Sequence, residues 1–390
     1  MFARKLNLAF SDESMMISDE ILLNIKPHVI TKADRCDFPE FSKPVVHGGF
    51  SLSPYGIFEN NANRLRYVVV PKMNKFQVHL GDSEPSPPRS LLLSQPGLDN
   101  ILLYMESTGT SHLSAKLEVE VSYDIVCTTE VIELILRTPY EMKENWTLAV
   151  TKYRNTIYIS PVVLEDLKTS PMKELNADWL AKLRRHFLSE NANAMPKPCD
   201  PMEPTGQYNG VFYFSINATR FIFDSPVLAE GFRTGSDGNS NYVFTELQFR
   251  LDSMSVDEWA THNRCDALKW WSKCVLVGIE NIYVANVNRD TIAHTINKLS
   301  VRQLWKDCEK AWSPNVCVNF LLRLVDQIRG FMSVVDCPKT VYLMKFDASQ
   351  GEISYTSYLG RNQYTFIPDW FRIMLDERME DLTHTTLHKN

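Results

Sequence analysis

Residues Tyr242 to Arg250 read YVFTELQFR. Aromatic and branched side chains fit a pleated, half-buried surface, so this stretch predicts a strand. Alternation places Glu246 and Gln248 on one face of it. A carboxylate beside an amide is half of an active site or the remains of one. Just downstream, Val256 to Cys274 reads as a helix ending in ALKWWSKC and feeding a second strand, VLVGIENIYVANV (275–287). Upstream lies another strand, GVFYFSINATRFIF (210–223), separated by the polar loop RTGSDGNSN. A helix set between strands predicts an α+β chain, with helices flanking a mixed sheet.

The pattern extends in both directions. RYVVV (66–70), LEVEVSYDIV (117–126), WTLAVTKY (146–153) and TIYISPVV (156–163) predict strands, and LEVEV alternates with period two. GDSEPSPPR (81–89) carries turn chemistry and predicts a surface loop. Helical periodicity marks TEVIELILRT (129–138) and LNADWLAKLRRHFL (175–188), where Leu175, Trp179, Leu183 and Phe187 repeat every four residues. The apolar helix NVCVNFLLRLVDQIRGFMSVV (315–335) precedes two last strands, TVYLMKF and EISYTSY. The Pro-rich break PKPCDPMEP (196–204) reads as a loop inside one domain, because too few strands flank it to close separate cores. The expected organisation is a loosely attached extension over 1–40, one domain over 41–375 and a tail over 376–390.

Composition sets outer limits. The chain has 390 residues, 44% hydrophobic and 23% charged, an ordinary globular balance. A net charge of −6 gives no global pull toward nucleic acid, so any such surface is a local basic patch. MFARKLNLAFSDES lacks the apolar run of a signal peptide, and no stretch approaches the roughly 18 to 20 apolar residues of a membrane span. Cys36, Cys127, Cys199, Cys265, Cys274, Cys308, Cys317 and Cys337 show no metal-type spacing, which fits a reducing compartment, cytosol or nucleus. No P-loop, GxSxG, HExxH or GxGxxG is present. His186 is a candidate general base or a solvated histidine. Trp270-Trp271 is a candidate base-stacking platform or plain core.

Several stretches together resemble the DXO decapping-exonuclease family. RTPYEMKENWTLAVTKYRNTIYIS (137–160) looks like its "TTPYE…W.LAVTR…TLYIS" region, and GGFSLSPYGIFENNANRLRYVVVP (48–71) like its "G.FS……LRYY..P" segment. LKWWSKCVLVGIENIYVANVN is similar to its "KWWAQSFL.G" helix and following strand; WSPNVCVNF (312–320) and YTFIPDWF (364–371) resemble its C-terminal part. The likeness runs from about Phe41 to Phe371. It implies a mixed sheet with flanking helices, related to two-metal nucleases, and an activity on RNA 5′ ends. The implied chemistry uses carboxylates to hold two hard divalent cations about 4 Å apart.

Carried over position by position, the family's arginine falls on Thr129 and a helical glutamate on His186. Its ExD pair falls on Ser215 and Asn217, its ExK pair on Glu246 and Gln248, and a helical glutamine on Lys273. Glu246 is the acid that remains, and the lysine of ExK is gone. Neutral Ser, Asn and Gln oxygens are weak ligands for Mg²⁺, and Lys273 adds charge that repels it. The resemblance therefore implies a lost two-metal site, no metal cofactor and no catalysis. The degenerate set is similar to a germline branch of the family. That likeness implies a nuclear role at piRNA source loci, in transposon silencing and heterochromatin. Rhino and Deadlock would be partners, the nuclear 5′-to-3′ exoribonuclease a further link, and 5′ ends of piRNA precursor transcripts the RNA bound. Lys152, Lys182, Arg184, Arg185, Arg250 and Lys273 are candidates for phosphate contacts. Two alternatives stand beside this reading. One is a pure protein-interaction scaffold. The other is a surviving decapping or exoribonuclease activity with an altered site, in which Glu246 pairs with His186.

Overall fold

The computed structural model describes residues 15–25, 27–70, 76–81, 97–109, 123–162, 171–198, 206–234 and 240–377. Two mixed sheets organise it. The larger runs, edge to edge, Met15–Asn24, Glu352–Leu359, Cys337–Asp347, Trp146–Tyr153, Thr156–Pro161, Ile125–Thr128, Thr219–Pro226, Gln207–Ile216, Val45–Leu52, Phe58–Glu59. The smaller runs Val78–His79, Ile292–Ser300, Asn281–Val287, Ser240–Leu251, Leu228–Thr234, Tyr67–Val68, Leu188–Ser189. Parallel pairings, including Ile125–Thr128 with Thr219–Pro226 and Ser240–Leu251 with Asn281–Val287, sit among antiparallel ones. The α+β expectation holds.

The main core lies where the two sheets meet the helices Thr129–Arg137, Ala267–Val277 and Pro314–Phe331. The sheets touch at Phe212 and Phe244, ring centroids 5.7 Å apart. A second core covers the far face of the larger sheet beneath helix Asp99–Thr108 and the helical turns 369–377. A third lies between the smaller sheet and helix Pro171–Phe187, where Leu183 and Phe187 meet Leu247.

WTLAVTKY is a strand with the expected bounds, Trp146–Tyr153. Other segments depart from expectation for local reasons. VLV (275–277) completes the KWW helix, which stops at Gly278, φ 75°, a left-handed cap that glycine adopts without Cβ strain. The next strand begins at Asn281. GVFYFSINATRFIF is a hairpin, Gln207–Ile216 against Thr219–Pro226, reversed at Asn217 with φ 50°. Asparagine tolerates that conformation. The strands Met15–Asn24, Val45–Leu52, Leu228–Thr234 and Ile292–Ser300 escaped the sequence reading. GDSEPSPPR beyond Gly81 and LEVEVS (117–122) lie outside the described residues.

The separation of residues 1–40 as a loose extension needs correction over its described part. Met15–Asn24 extends the larger sheet by pairing with Glu352–Leu359. Pro27–Asp34 lies against Pro314–Phe331, and Ser313 Oγ donates to Asp34 Oδ1 at 2.7 Å. At the other end, Asp376 binds the Tyr153 hydroxyl and Arg154, so the chain is tied down through that point.

One polar chain is buried in the larger sheet. Gln207 Nε2 donates to Asn209 Oδ1 at 2.7 Å, and Asn209 Nδ2 to Asp224 Oδ2 at 2.6 Å. Burial pushes the Asp224 carboxyl up to about 6, the amide bond opposing. Its folded pKa lies above its unfolded one, so this group's stabilisation is full at low pH and is lost as pH rises through about 6. Asparagine at 224 keeps an acceptor for Asn209 and carries no charge. Asp224→Asn is therefore expected to gain on the wild-type chain by on the order of 3 kcal/mol between about pH 4 and pH 8. Denaturant unfolding at both pH values checks this, and a pH-independent difference contradicts it.

Candidate functional site

Ser240–Leu251 is a central strand of the smaller sheet, paired with Leu228–Thr234 on one side and Asn281–Val287 on the other. Leu247, Phe249 and Leu251 face the third core, and Phe244 faces the larger sheet. Alternation then points Glu246 and Gln248 to the side of Phe244, as the sequence predicts. Glu246 is 1% exposed. A carboxylate so buried needs counter-charge.

Two elements supply it. Helix Ala267–Val277 sets Leu268, Trp270, Trp271 and Cys274 in the main core, and Lys273 leaves that face to place its Nζ on Glu246 Oε2. Helix Pro171–Phe187 is anchored by Leu183 and Phe187, and Arg184, 43% exposed, brings Nη2 to 3.6 Å from Glu246 Oε1. That separation is an ion pair and too long for a hydrogen bond. Glu246 Oε1 and Arg184 Nε are both buried without a hydrogen-bond partner.

A further acid, missed in the sequence, belongs here. Glu133 is buried on helix Thr129–Arg137, which packs on the Lys273 helix. Burial raises its pKa, while the charges of Lys273, Lys269 and Arg137 pull it back. Its signal was present in TEVIELILR: Glu133 falls one turn after Thr129, on a face whose other members are buried. Thr129 is also buried, and its hydroxyl has no partner.

The other predicted positions divide. His186 shares the helix of Arg184, but its Nδ1 donates to the Lys182 carbonyl at 3.0 Å; Arg184 is the side chain that reaches Glu246. The side chains that reach Glu246 are thus Lys273 and Arg184, and the His186 Nδ1–H is taken by the Lys182 carbonyl. Ser215 and Asn217 need correction. They lie at the hairpin end of the larger sheet, where the Ser215 N–H donates to Ser42 Oγ at 2.7 Å and Asn217 Oδ1 accepts from the Glu40 N–H at 3.0 Å. The strands bonded to that of Glu246 are Leu228–Thr234 and Asn281–Val287, and Glu230 of the former is held by Lys298 at 2.5 Å and the Tyr283 hydroxyl at 2.6 Å.

Of the phosphate-contact candidates, Lys273 and Arg184 converge on Glu246. Lys182 donates to the Leu80 carbonyl at 2.7 Å, and Arg185 shares its helix. Arg250 stacks on Trp259, 5.5 Å from the ring centre, two residues beyond Gln248. Lys152 sits on the larger sheet, donates to the Met332 carbonyl at 3.3 Å, and lines a cavity of about 160 Å³ with Asp124, Asn155 and Arg329. It is not part of the Glu246 cluster. Trp270 and Trp271 are 7% and 6% exposed and packed on His262 and Trp312, which removes them as a stacking platform.

The cluster is a poor fit for two divalent cations. Glu246 has a cation facing each oxygen. Among the described residues no group of three His, Cys, Asp or Glu side chains is arranged to hold a metal.

Comparisons agree with this architecture. The chain matches the RAI1 like PD-(D/E)XK nuclease family over residues 42–372. It is 43% identical to Protein cutoff of Drosophila melanogaster over 380 residues, 95% of this chain and 97% of that protein. It is 24% identical to the human Decapping and exoribonuclease protein over 349 residues, 86% of each. Among solved structures, Scheffersomyces stipitis Rai1 superposes with a TM-score of 0.71 at 13% identity, covering 88% of this chain and 99% of that one. Candida albicans Rai1 in complex with pU5-Mn²⁺ gives 0.65 at 14%, covering 91% and 98%. The family match spans the smaller sheet, every strand of the larger one except Met15–Asn24, and the helices that carry Glu133, Arg184 and Lys273, and on that span the chain belongs to the RAI1 like PD-(D/E)XK nuclease family.

Proposed function

We propose that this protein is a catalytically inactive member of its family that binds and shields RNA 5′ ends. One observation carries the reading: Glu246 is clamped by Lys273 and Arg184, so the place where the family resemblance expects cations already holds protein charges. In a two-metal mechanism the cations stabilise the attacking and leaving oxygens. A lysine and an arginine can meet a phosphate, but they do not generate a nucleophile from water. Arg184, being partly exposed, is the group an incoming phosphate meets first. The pU5-Mn²⁺ complex of the Candida albicans relative supports RNA as the ligand class.

The 43% identity to Protein cutoff supports a corresponding role. On this reading the chain acts in the germline nucleus, on piRNA precursor transcripts. It works with Rhino and Deadlock to suppress splicing, termination and decay. No helix among the described residues is long and apolar enough to cross a membrane.

Two measurements test this. Fluorescence anisotropy with 5′-phosphorylated oligouridine should show binding that weakens steeply with salt, and Arg184→Gln with Arg185→Gln should weaken it about tenfold at low salt and flatten the slope. No binding at low salt contradicts the reading. Incubated with capped or 5′-phosphorylated RNA and Mg²⁺ or Mn²⁺, wild type and Glu246→Gln should release products at the same background rate. A faster wild type would establish an enzyme.

A further inference from the structure

Lys152 is the phosphate-contact candidate left outside the Glu246 cluster, and it has a setting of its own. Its strand Trp146–Tyr153 turns into Thr156–Pro161 through Arg154 and Asn155, φ 52° and 61°. Two consecutive positive φ values make a tight hairpin turn whose twist matches its strands, so the residues around it are held in place. Arg154 is drawn aside to Asp376 at 2.7 Å. Lys152 and Asn155 instead line a cavity of about 160 Å³ with Asp124, Ile157, Arg329 and Met332. Ile157 and Met332 are buried and form its apolar side. One water needs only about 10–15 Å³ of such space, so there is room for a tetrahedral oxyanion and waters beside it.

The charges around this cavity do not balance. Asp124 is the acid of its lining, and both its oxygens are engaged. Oδ2 accepts from the Arg220 backbone N–H at 2.8 Å and from Arg220 Nε at 3.2 Å, and Oδ1 faces Arg329 Nη2 at 3.6 Å. Arg329 is itself fixed, its Nη1 donating to Thr219 Oγ1 at 2.8 Å, and it has further N–H donors to give. Lys152 has no carboxylate partner among the described residues. Its Nζ donates to the Met332 carbonyl at 3.3 Å, just past helix Pro314–Phe331, which leaves two N–H donors. The end of that helix carries about half a negative charge. Asp336 lies outside the lining, its Oδ1 accepting from the Asn155 N–H at 3.4 Å. Lys152, Arg220 and Arg329 therefore outweigh the one carboxylate and the partial charge that share the cavity with them.

We infer that this cavity is a second anion site, which takes one phosphate group. Lys152 and Arg329 meet its charge, the Asn155 side-chain amide donates to it, and Asp124 holds the two guanidiniums in position. A phosphomonoester and a phosphodiester share this chemistry, since both present non-bridging oxygens. Strand Ile125–Thr128 leads away from Asp124 to Thr129 and the helix packed on that of Lys273, so the cavity is separate from the Glu246 cluster. Phosphate binding here does not depend on the RNA-end reading.

The test is isothermal titration calorimetry of the full chain with inorganic phosphate at constant ionic strength. It is run on Arg184→Gln with Arg185→Gln, which removes the exposed cation of the Glu246 cluster and leaves the cavity as it is. Phosphate should bind near one per chain and raise the unfolding midpoint relative to chloride. Lys152→Gln, added to that chain, can still donate to the Met332 carbonyl but carries no charge, and should weaken phosphate binding about tenfold. Should Lys152→Gln not fold, Asn155→Gly keeps the turn, removes the amide and should weaken binding about threefold. 5′-Hydroxyl oligouridine carries phosphodiesters alone. If it displaces phosphate from this chain, the ligand is an RNA backbone; if phosphate is held against it, the ligand is a free phosphate or a monoester. Unchanged phosphate affinity in Lys152→Gln, whatever its stability, overturns the inference, because Lys152 would then serve only to cap the helix. The absence of any phosphate effect over chloride overturns it as well.

Discussion

The contact between Lys273 and Glu246 joins the central strand of the smaller sheet to a helix of the main core. Both ends are largely withdrawn from water: Glu246 is 1% exposed and the Lys273 side chain 18%. A buried pair of this kind adds little against an apolar pair of the same shape, but losing one partner strands the other and costs roughly 3–5 kcal/mol. The pair therefore constrains the site more than it strengthens the fold. It ties strand to helix and sets the charge at Oε2, while Arg184 faces Oε1.

The surrounding residues follow from that constraint. Glu133, held on the adjoining helix, keeps its proton more tightly because it is buried, and the lysines beside it limit the effect. Arg184 reaches the same carboxylate from the solvent side and remains partly exposed. Arg184 is the most exposed of these charges, Lys273 is less so, and Glu246 is the most deeply buried. Under the proposed reading, Arg184 is the charge that a phosphate meets first.

Much of this was legible in the sequence. YVFTELQFR announced a strand and the shared face of Glu246 and Gln248, because side-chain alternation is a local property. The KWW helix and the apolar Pro314–Phe331 helix were visible for the same reason. The hairpin at Asn217 was not, since strand-forming residues on both sides of a tight turn, VFYF before it and FIF after it, read as one strand. Leu228–Thr234, with its Gly231, and the edge strand Met15–Asn24 lack a strong alternating pattern and owe their conformation to their neighbours. The site suffered from the same cause. Lys273 was found because its helix carries a distinctive motif. Arg184 was assigned only as one cation among several, and Glu133 was passed over inside an apolar helix. Ser215 and Asn217 were placed at the site by matching a strand that lies one hairpin away. Their distance from Glu246 in the fold is a product of tertiary pairing, which residue spacing does not encode.

The central claim is that this site meets RNA with its own cations in place of metal. The most direct measurement is the affinity of the full chain for 5′-phosphorylated RNA in Mg²⁺ and again in excess chelator, at matched ionic strength. The account predicts equal affinities under the two conditions. Binding that appears only with Mg²⁺ would contradict it, because the phosphate would then be held by a metal that Lys273 is said to replace.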